Sequence, residues 1–538
     1  MTLIAFIAIP ILAGLVAWPL ARWRPRTARC LCLAALAADL AWVCTIWAST
    51  PGAQPVGRWL MEFHAGWIPQ IGVSFSLAMD GLSLLLVALT GFIGILAVAA
   101  SWEGIARRVG FFHFNLMWLL GALVGVFLAT DLFLFYFFWE MMLVPLYLLI
   151  GIWGHERRIY ATVKFFIFTQ AGSLLMLVAI IALVLLHGHS PATGRYTFAY
   201  EELLGTGLPP AAAMWIMLGF FAAFAVKLPA FGLHTWLPDA HTEAPTAGSV
   251  VLASLVLKAG AYGMLRFLVP LFPAAFASFA PVAMALAAAG IIYGAVMAFA
   301  QRDLKRLVAY TSVSHMGFVL LGVASGTEMA LQGAVIVIIS HALSTGGLFI
   351  VVGAMQDRMH TRDMARMGGL WAVAPRMGGT MLFLAMASLG LPGLAGFVGE
   401  FLVLAGTWQA WPIMTAVASL GLIAAMIYSL RMFMRPFHGP ASEEWRIRDF
   451  GPREMAISIA IVAALVWVGI YPGPVLKTSE PTVKAIRQVT ETASGGQGLL
   501  LNEQRLTASP DSGTLEDQEA GLPLGAVMNG ESANRGAP

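Results

Sequence analysis

The chain has 538 residues, of which 59% are hydrophobic and only 11% are charged, whereas soluble domains are about 25% charged. The mean hydropathy of +0.81 excludes a soluble globular enzyme and indicates a polytopic membrane protein that is surrounded by lipid. The formal net charge of +3 is too small to indicate nucleic acid as a partner.

Apolar stretches of about 20 residues, the length of helix that crosses a membrane, recur from the N-terminus to about Tyr471. They predict an all-α fold of fourteen transmembrane spans, numbered in chain order. The predicted spans are residues 2–20, 28–49, 78–101, 112–130, 132–153, 163–187, 211–233, 245–268, 275–300, 305–325, 329–354, 377–405, 409–432 and 454–472.

Basic residues follow the odd-numbered spans, as in the arginines between Arg22 and Arg29 and the group from Arg302 to Arg306. The loops after even-numbered spans offer Arg58, Arg195 and the helix-end Arg266. Short cytoplasmic loops retain positive charge. We therefore expect both termini on the non-cytoplasmic side of the membrane.

Four ionisable residues lie far from predicted helix ends: Glu140, Lys227, Lys258 and Glu400. A charge at the centre of a membrane helix costs about 2.5–3.5 kcal/mol on insertion scales, and such residues usually carry function. We expect Glu140 to face the interior of the bundle. Pairing of Glu140 with a backbone or hydroxyl group, and snorkelling of Lys227 to the cytoplasmic face, are the structural alternatives.

Two spans contain helix breaks close to these charges. Lys227 is followed by Leu228 and Pro229, and Leu391-Pro392 precedes Glu400. The two Leu-Pro pairs are 163 positions apart, as are the predicted starts of spans 4 and 9. Paired broken helices are typical of internally repeated transporters. Spans 4–8 and 9–13 are thus predicted to be two five-helix repeats of inverted topology.

Histidines form a second group of candidates. His315 and His341 lie in spans 10 and 11, where an imidazole either fills the core or relays protons. His234, His241 and the acids Asp239 and Glu243 lie in the connection between spans 7 and 8. A metal site, a hydrogen-bonded corner and a proton-collecting mouth are the interpretations for this connection, and the last two fit its predicted cytoplasmic position better.

The predicted organisation divides the chain into five parts. Residues 1–111 carry three spans, 112–274 the first repeat, 275–435 the second repeat, and 436–475 a loop and the last span. Residues 476–538 form a polar tail. From about 489 this tail has few large apolar residues, so we expect it to be disordered.

The sequence resembles the antiporter-like membrane subunits of respiratory complex I. The segments that carry the resemblance are AMDGLSLLL, FWEMMLVPLYLLIGIWG, GLHTWLPDAHTEAPTAGSVVLASLVLKAGAYGMLRF and GLPGLAGFVGEFLVLAG. It extends from about residue 1 to 475. The chain is most similar to the M type, which corresponds to mitochondrial chain 4, because Glu400 stands where the L and N types usually have Lys. The chain also lacks the lateral extension of the L type.

The resemblance implies a fourteen-helix fold with two inverted half-channels that pumps protons while NADH reduces quinone. It assigns the charge path to Glu140, Lys227, Lys258 and Glu400, with His315 and His341 beside it. Pro229, Pro392, His234 and His241 would support the path.

The resemblance also implies L-type and N-type neighbours in a bacterial-type inner (plasma) membrane. It places no cofactor on this chain, and it implies NADH, FMN, iron–sulfur clusters and quinone in partner subunits. A subunit of a cation/proton antiporter complex and a non-pumping scaffold are the alternatives for function.

Overall fold

The structure is a computed structural model that describes residues 1–50, 55–190, 194–440 and 443–507, without the side chains of 492–507. The chain divides into one compact unit, Met1–Ser494, and a second unit, Gly495–Pro538. The described part of the second unit, residues 495–507, is helical. Residues 508–538, the larger part of the tail predicted to be disordered, lie outside the described residues.

The membrane-spanning architecture agrees with the sequence. Thirteen helices of the described chain are long and apolar enough to cross a membrane. The predicted twelfth span is instead two shorter helices, Pro375–Ser388 and Ala395–Ala410, so the prediction of about fourteen crossings is confirmed. The thirteen helices are Thr2–Leu20, Pro25–Ser49, Gly81–Ala100, Val109–Leu128, Leu132–Trp153, Arg158–His189, Pro210–Lys227, Thr246–Leu271, Pro273–Ala300, Leu304–Ser325, Glu328–Met359, Pro412–His438 and Pro452–Ile470.

One feature departs from the all-α prediction. Strand β1 (Met61–Ile68) pairs with strand β2 (Val73–Met79) in an antiparallel hairpin between spans 2 and 3. The turn requires Gly72, whose φ is +75° and whose Cβ, if present, would lie 2.1 Å from the Tyr196 carbonyl oxygen. Hydropathy identifies helices long enough to cross the membrane, and it missed this short hairpin because its strands have mixed polarity.

The helices that carry the central candidates are the most enclosed. Spans 8, 10 and 11 (Thr246–Leu271, Leu304–Ser325 and Glu328–Met359) each contain a membrane-length segment of 18 residues that is wholly buried. Helices that are apolar on every face are expected at a bundle centre or in contact with lipid. The other spans surround these three, so Lys258, His315 and His341 lie deep inside the protein.

Loops that follow odd-numbered spans contact one another. Asp239 pairs with Lys164 at 2.7 Å and with Arg306 at 3.0 Å. Arg362 pairs with Asp303 at 3.0 Å. These contacts place the loops at one end of the bundle, which we call the basic end. The assignment of this end to the cytoplasm remains a prediction from charge.

A long helix, Gly473–Thr507, follows the last span. The polar tail predicted from residue 476 is therefore helical up to 507, and the prediction of disorder is wrong for its part from about 489 to 507. Val475, Val483 and Ile486 are buried, and Ser479 donates to Gln332 at 2.8 Å. These residues recur at helical spacing, so one face packs on the bundle even though the average composition is polar.

Candidate functional site

The first helix break follows directly from Pro229. Proline has no backbone N–H and cannot continue the helix, which ends at Lys227 and restarts at Trp236. The carbonyl groups freed by the break are satisfied locally. Ala230 N donates to Ala225 O at 2.9 Å, and Trp236 Nε1 donates to Val226 O at 3.0 Å. The break thus lies inside the protein without leaving these carbonyls unpaired.

Lys227 is enclosed by aromatic rings at this break. Its side chain is only 2% exposed, which excludes the snorkelling alternative. The ammonium lies 5.5 Å from the Trp139 ring centroid and 5.6 Å from that of Phe165. These cation–π contacts partly replace lost hydration. Among the described residues, no carboxylate lies within 4.0 Å of Lys227.

Glu140 does not face the bundle interior, so that prediction is wrong. Phe138 and Trp139 lie on the buried face of this helix. The Glu140 side chain is rotated about 100° from Trp139 around the helix axis and is half-buried. It lines a groove of about 560 Å³ on the outside of the described chain, together with Phe137 and Val144.

Two glycines bring span 8 against the break. A Cβ on Gly260 would lie 2.7 Å from Phe224 O and 2.8 Å from Leu228 N, and one on Gly263 would lie 2.4 Å from the Phe224 ring. Only a residue without a side chain permits this approach. The two candidate lysines are therefore held on helices that touch at the break.

Lys258 lies between two π-helical turns, Leu252–Val256 and Met264–Leu268. Such turns occur frequently at functional sites. The fully buried ammonium donates to Ala253 O at 2.6 Å and to His341 Nδ1 at 2.5 Å. Since Nδ1 accepts this hydrogen bond, the proton of neutral His341 is on Nε2, which has no hydrogen-bond partner among the described residues.

His315 continues the polar contacts from His341. The centroids of the two imidazole rings are 5.5 Å apart. His315 Nδ1 lies 3.1 Å from Glu400 Oε1, and its Nε2 lies 3.1 Å from Ser388 Oγ and 3.3 Å from the Tyr428 hydroxyl. A neutral ring with its proton on Nδ1 satisfies all of these contacts, since it donates to the carboxylate and accepts from a hydroxyl.

The second break positions Glu400. The chain between helices Pro375–Ser388 and Ala395–Ala410 includes Pro392, with Gly390 and Gly393 at φ of +77° and +92°. A Cβ on Gly390 would lie 2.7 Å from Glu400 Oε2. The glycine thus allows the backbone turn and also leaves room for the carboxylate, which is 5% exposed.

The geometry gives one buried line of ionisable groups: Lys258, His341, His315 and Glu400. The family of the chain follows from comparison with known proteins. Residues 129–427 match the family described as NADH:quinone oxidoreductase/Mrp antiporter. NADH-quinone oxidoreductase subunit M from Pseudomonas aeruginosa is 50% identical over 495 residues, which cover 90% of this chain and 96% of that protein. The chain belongs to the subunit M family of NADH-quinone oxidoreductases.

The fold of this subunit M family member is similar to the folds of chains in solved membrane complexes. One chain of respiratory complex I from Thermus thermophilus with bound NADH is 33% identical with a TM-score of 0.82, covering 91% of this chain and 100% of that one. A chain of the Mrp complex from Dietzia sp. is 25% identical with a TM-score of 0.78, covering 91% and 52%. The predicted resemblance to M-type subunits is confirmed.

The connection between spans 7 and 8 is a polar corner in this subunit M family member. Asp239 binds Lys164 and Arg306, and Glu243 accepts from the Arg157 backbone N–H at 2.9 Å. Within the described residues, no group of three potential ligands is placed to hold a metal. The acids therefore form the hydrogen-bonded corner that was one of the alternatives.

The histidines of this corner are buried beside aromatic rings. The His241 ring stacks on Phe349 at a centroid distance of 4.5 Å, and the His234 ring lies 5.1 Å from Tyr293. In a nearby loop, burial and the positive charges of Lys305 and Arg362 lower the pKa of His155 to about 4. His155 is therefore neutral at pH 7. The ring nitrogens of His234 and His241 have no hydrogen-bond partner among the described residues.

Sequence reasoning missed two members of the line. Ser388 and Tyr428 contact His315, and neither was a candidate because hydroxyl groups are common in membrane helices. The sequence could have indicated Ser388, because it lies three residues before the helix break at Leu391-Pro392. Nothing in the sequence around Tyr428 in span 13 indicated that it would contact His315.

Proposed function

We propose that this chain is a proton-translocating membrane subunit of an NADH-quinone oxidoreductase. The observation that carries this proposal is the line of Lys258, His341, His315 and Glu400, which lies in the buried segments of three helices and at the second break. Desolvated ionisable groups are costly in a membrane and mark ion pathways. Four in succession provide the sites at which a proton can rest.

The second half of the chain moves the proton in defined steps. His341 Nδ1 takes a proton from Lys258, and the ring passes its Nε2 proton across the gap to His315. His315 then delivers a proton to Glu400 through Nδ1. Each donor and acceptor in this sequence is a side-chain nitrogen or oxygen that can bind a proton and release it again.

The first half acts as the switch. At about 4 Å and an effective dielectric near 20, a Glu140–Lys227 pair is worth about 4 kcal/mol. Closing the pair holds the proton on Lys227, and opening it releases the proton toward Lys258. We assign the open arrangement to this structure, since no carboxylate lies within 4.0 Å of Lys227 among the described residues.

The driving energy comes from partner subunits. Moving one charge against the membrane potential costs about 2.3 kcal/mol per 100 mV, comparable with one switch of the pair. We assign NADH, FMN, iron–sulfur clusters and quinone to the partners and no redox centre to this chain. L-type and N-type subunits are the proposed neighbours in a bacterial inner membrane, with both termini on the non-cytoplasmic side.

A second candidate is a subunit of a cation/proton antiporter complex. The likeness to a chain of the Mrp complex favours it. The two candidate functions can be distinguished, because the oxidoreductase subunit depends on NADH oxidation and the antiporter subunit does not. Sodium efflux without NADH would support the antiporter, and NADH-driven proton uptake that sodium leaves unchanged supports the oxidoreductase.

The test compares Lys258→Met with Lys484→Met in membrane vesicles that contain the assembled complex. Lys484 is an exposed lysine paired with Glu480 on the C-terminal helix, so it controls for loss of a lysine. We expect Lys258→Met to lower proton uptake per NADH at least about tenfold, equivalent to about 1.4 kcal/mol, and Lys484→Met to leave it unchanged. Normal pumping by an assembled Lys258→Met complex would refute the proposal and favour a scaffold.

A further inference from the structure

A second polar line leaves Lys258 along its own helix. Ser254, Lys258, Tyr262 and Arg266 recur every four residues in span 8 and are all buried. The line ends at a cavity of about 240 Å³ lined by Arg58, Trp59, Asp80, Tyr200, Arg266 and Thr482. This cavity lies at the end of the bundle opposite the basic end, between loops that follow even-numbered spans.

Arg266 is fixed at the junction of the line and the cavity. Its Nη2 donates to Asp80 Oδ2, and its guanidinium carbon lies 4.9 Å from the Trp59 ring centroid and 5.6 Å from that of Tyr262. Asp80 is held in turn by the Ser83 N–H at 2.9 Å and the Thr482 hydroxyl at 2.7 Å. The pair is oriented, with the guanidinium toward Tyr262 and the carboxylate toward Ser83 and Thr482.

The hydrogen bonds of Tyr262 interrupt a relay along this line. Its hydroxyl donates to Phe127 O at 2.9 Å, and it lies 3.3 Å from the Ser83 hydroxyl and 3.4 Å from Arg266 Nε, both of which can donate to it. Its one proton is therefore committed to a backbone carbonyl, and Arg266 has donors but no acceptor. Two of the three donors of the Lys258 ammonium are also directed away from Tyr262, since they bind Ala253 O and His341 Nδ1.

We propose that Arg266, held by Asp80, is an electrostatic seal that prevents protons from passing between Lys258 and the cavity. A guanidinium stays charged at every accessible pH, and a fixed arginine is a known kind of barrier to protons and cations in pores. The seal rests on the proposed function: it makes the contact of Lys258 with His341 the productive route, because the shorter path along span 8 is closed.

The test measures passive leakage rather than pumping. The complete complex is reconstituted into lipid vesicles and a pH gradient is imposed by a jump in external pH. Equal potassium on both sides with valinomycin holds the membrane potential near zero, and the decay of the gradient is followed without NADH. We expect Arg266→Met to accelerate the decay about tenfold, which corresponds to about 1.4 kcal/mol of lost barrier. Arg58→Met removes an exposed arginine from the same cavity and is the matched control, with no expected change.

A second substitution traces the route of the leak. If protons pass along span 8, Arg266→Met/Lys258→Met should return the decay to the wild-type rate. A leak that persists in this double variant, or wild-type tightness in Arg266→Met, would overturn the seal. If Arg266→Met prevents assembly, Asp80→Asn/Arg266→Gln removes both charges and leaves neither uncompensated; here too a leak supports the seal and tightness overturns it.

The two proposals fail separately. Loss of the seal appears in vesicles that have received no NADH, whereas the proposed function is tested by NADH-driven uptake in Lys258→Met. A tight Arg266→Met complex with an inactive Lys258→Met complex would reject the seal alone. A leaking Arg266→Met complex with normal pumping by Lys258→Met would reject the proposed pathway while leaving a barrier at Arg266.

Discussion

The two broken helices hold their charges in opposite ways. At the first break, Lys227 contacts the faces of Trp139 and Phe165 and Glu140 lies on the outer surface. At the second break, Glu400 is buried and bonded to His315. A helix break therefore holds a lysine with no carboxylate within 4.0 Å among the described residues in one half, and a hydrogen-bonded carboxylate in the other.

This difference indicates that the two halves of the chain have different roles in proton transfer. Ionisable groups that are already in contact can transfer a proton without a large rearrangement, so the second half is organised for conduction. Groups held apart need movement before they interact, so the first half is organised for switching. The junction at Gly260, where span 8 touches the first break, joins the two.

The largest effect is expected from breaking the conducting half. Glu400→Gln keeps the shape but removes the proton acceptor next to His315. We expect NADH-driven proton uptake by vesicles to fall about a hundredfold, within the range for loss of a positioned acid–base group. Glu328→Gln, at a partly exposed glutamate paired with Arg487, is the control. Uptake within a factor of two of wild type in Glu400→Gln would contradict conduction through this residue.

A smaller effect is expected in the switching half. Lys227→Met should lower uptake about tenfold, or about 1.4 kcal/mol, while the melting temperature of the complex changes little because methionine keeps favourable contacts with aromatic rings. Glu140→Gln tests whether the two residues act together. The double variant should be no worse than Lys227→Met alone, and losses that simply add would show that the residues act independently.

The smallest effect sharpens the comparison inside the conducting half. Tyr428→Phe removes one of two hydroxyl partners of His315, and a neutral hydrogen bond is worth about 1 kcal/mol. We expect uptake to fall about fivefold, since Ser388 still holds the ring. Tyr471→Phe, at a tyrosine that is 61% exposed, should have no effect. A loss in Tyr428→Phe as large as that in Glu400→Gln would mean that Tyr428 itself carries the proton.

Much of the fold could be predicted from hydropathy and charge. The spans, the two breaks at Pro229 and Pro392 and the buried positions of Lys227, Lys258 and Glu400 followed from residue types in an apolar context. The direction of Glu140 did not, because a charged residue flanked by apolar neighbours on all faces gives no helical face to choose. The helix from Gly473 was missed because composition was averaged over a segment whose buried residues are regularly spaced.

The sequence by itself determined which residues are costly in a membrane and where the helices must break, since both depend on local chemistry. Only the tertiary structure decided which of those residues touch. Lys258 and His341 are 83 positions apart, and Asp80 and Thr482 are 402 apart. Helical spacing specifies the face of a helix on which a side chain lies, but the partner opposite that face is set by how the helices pack.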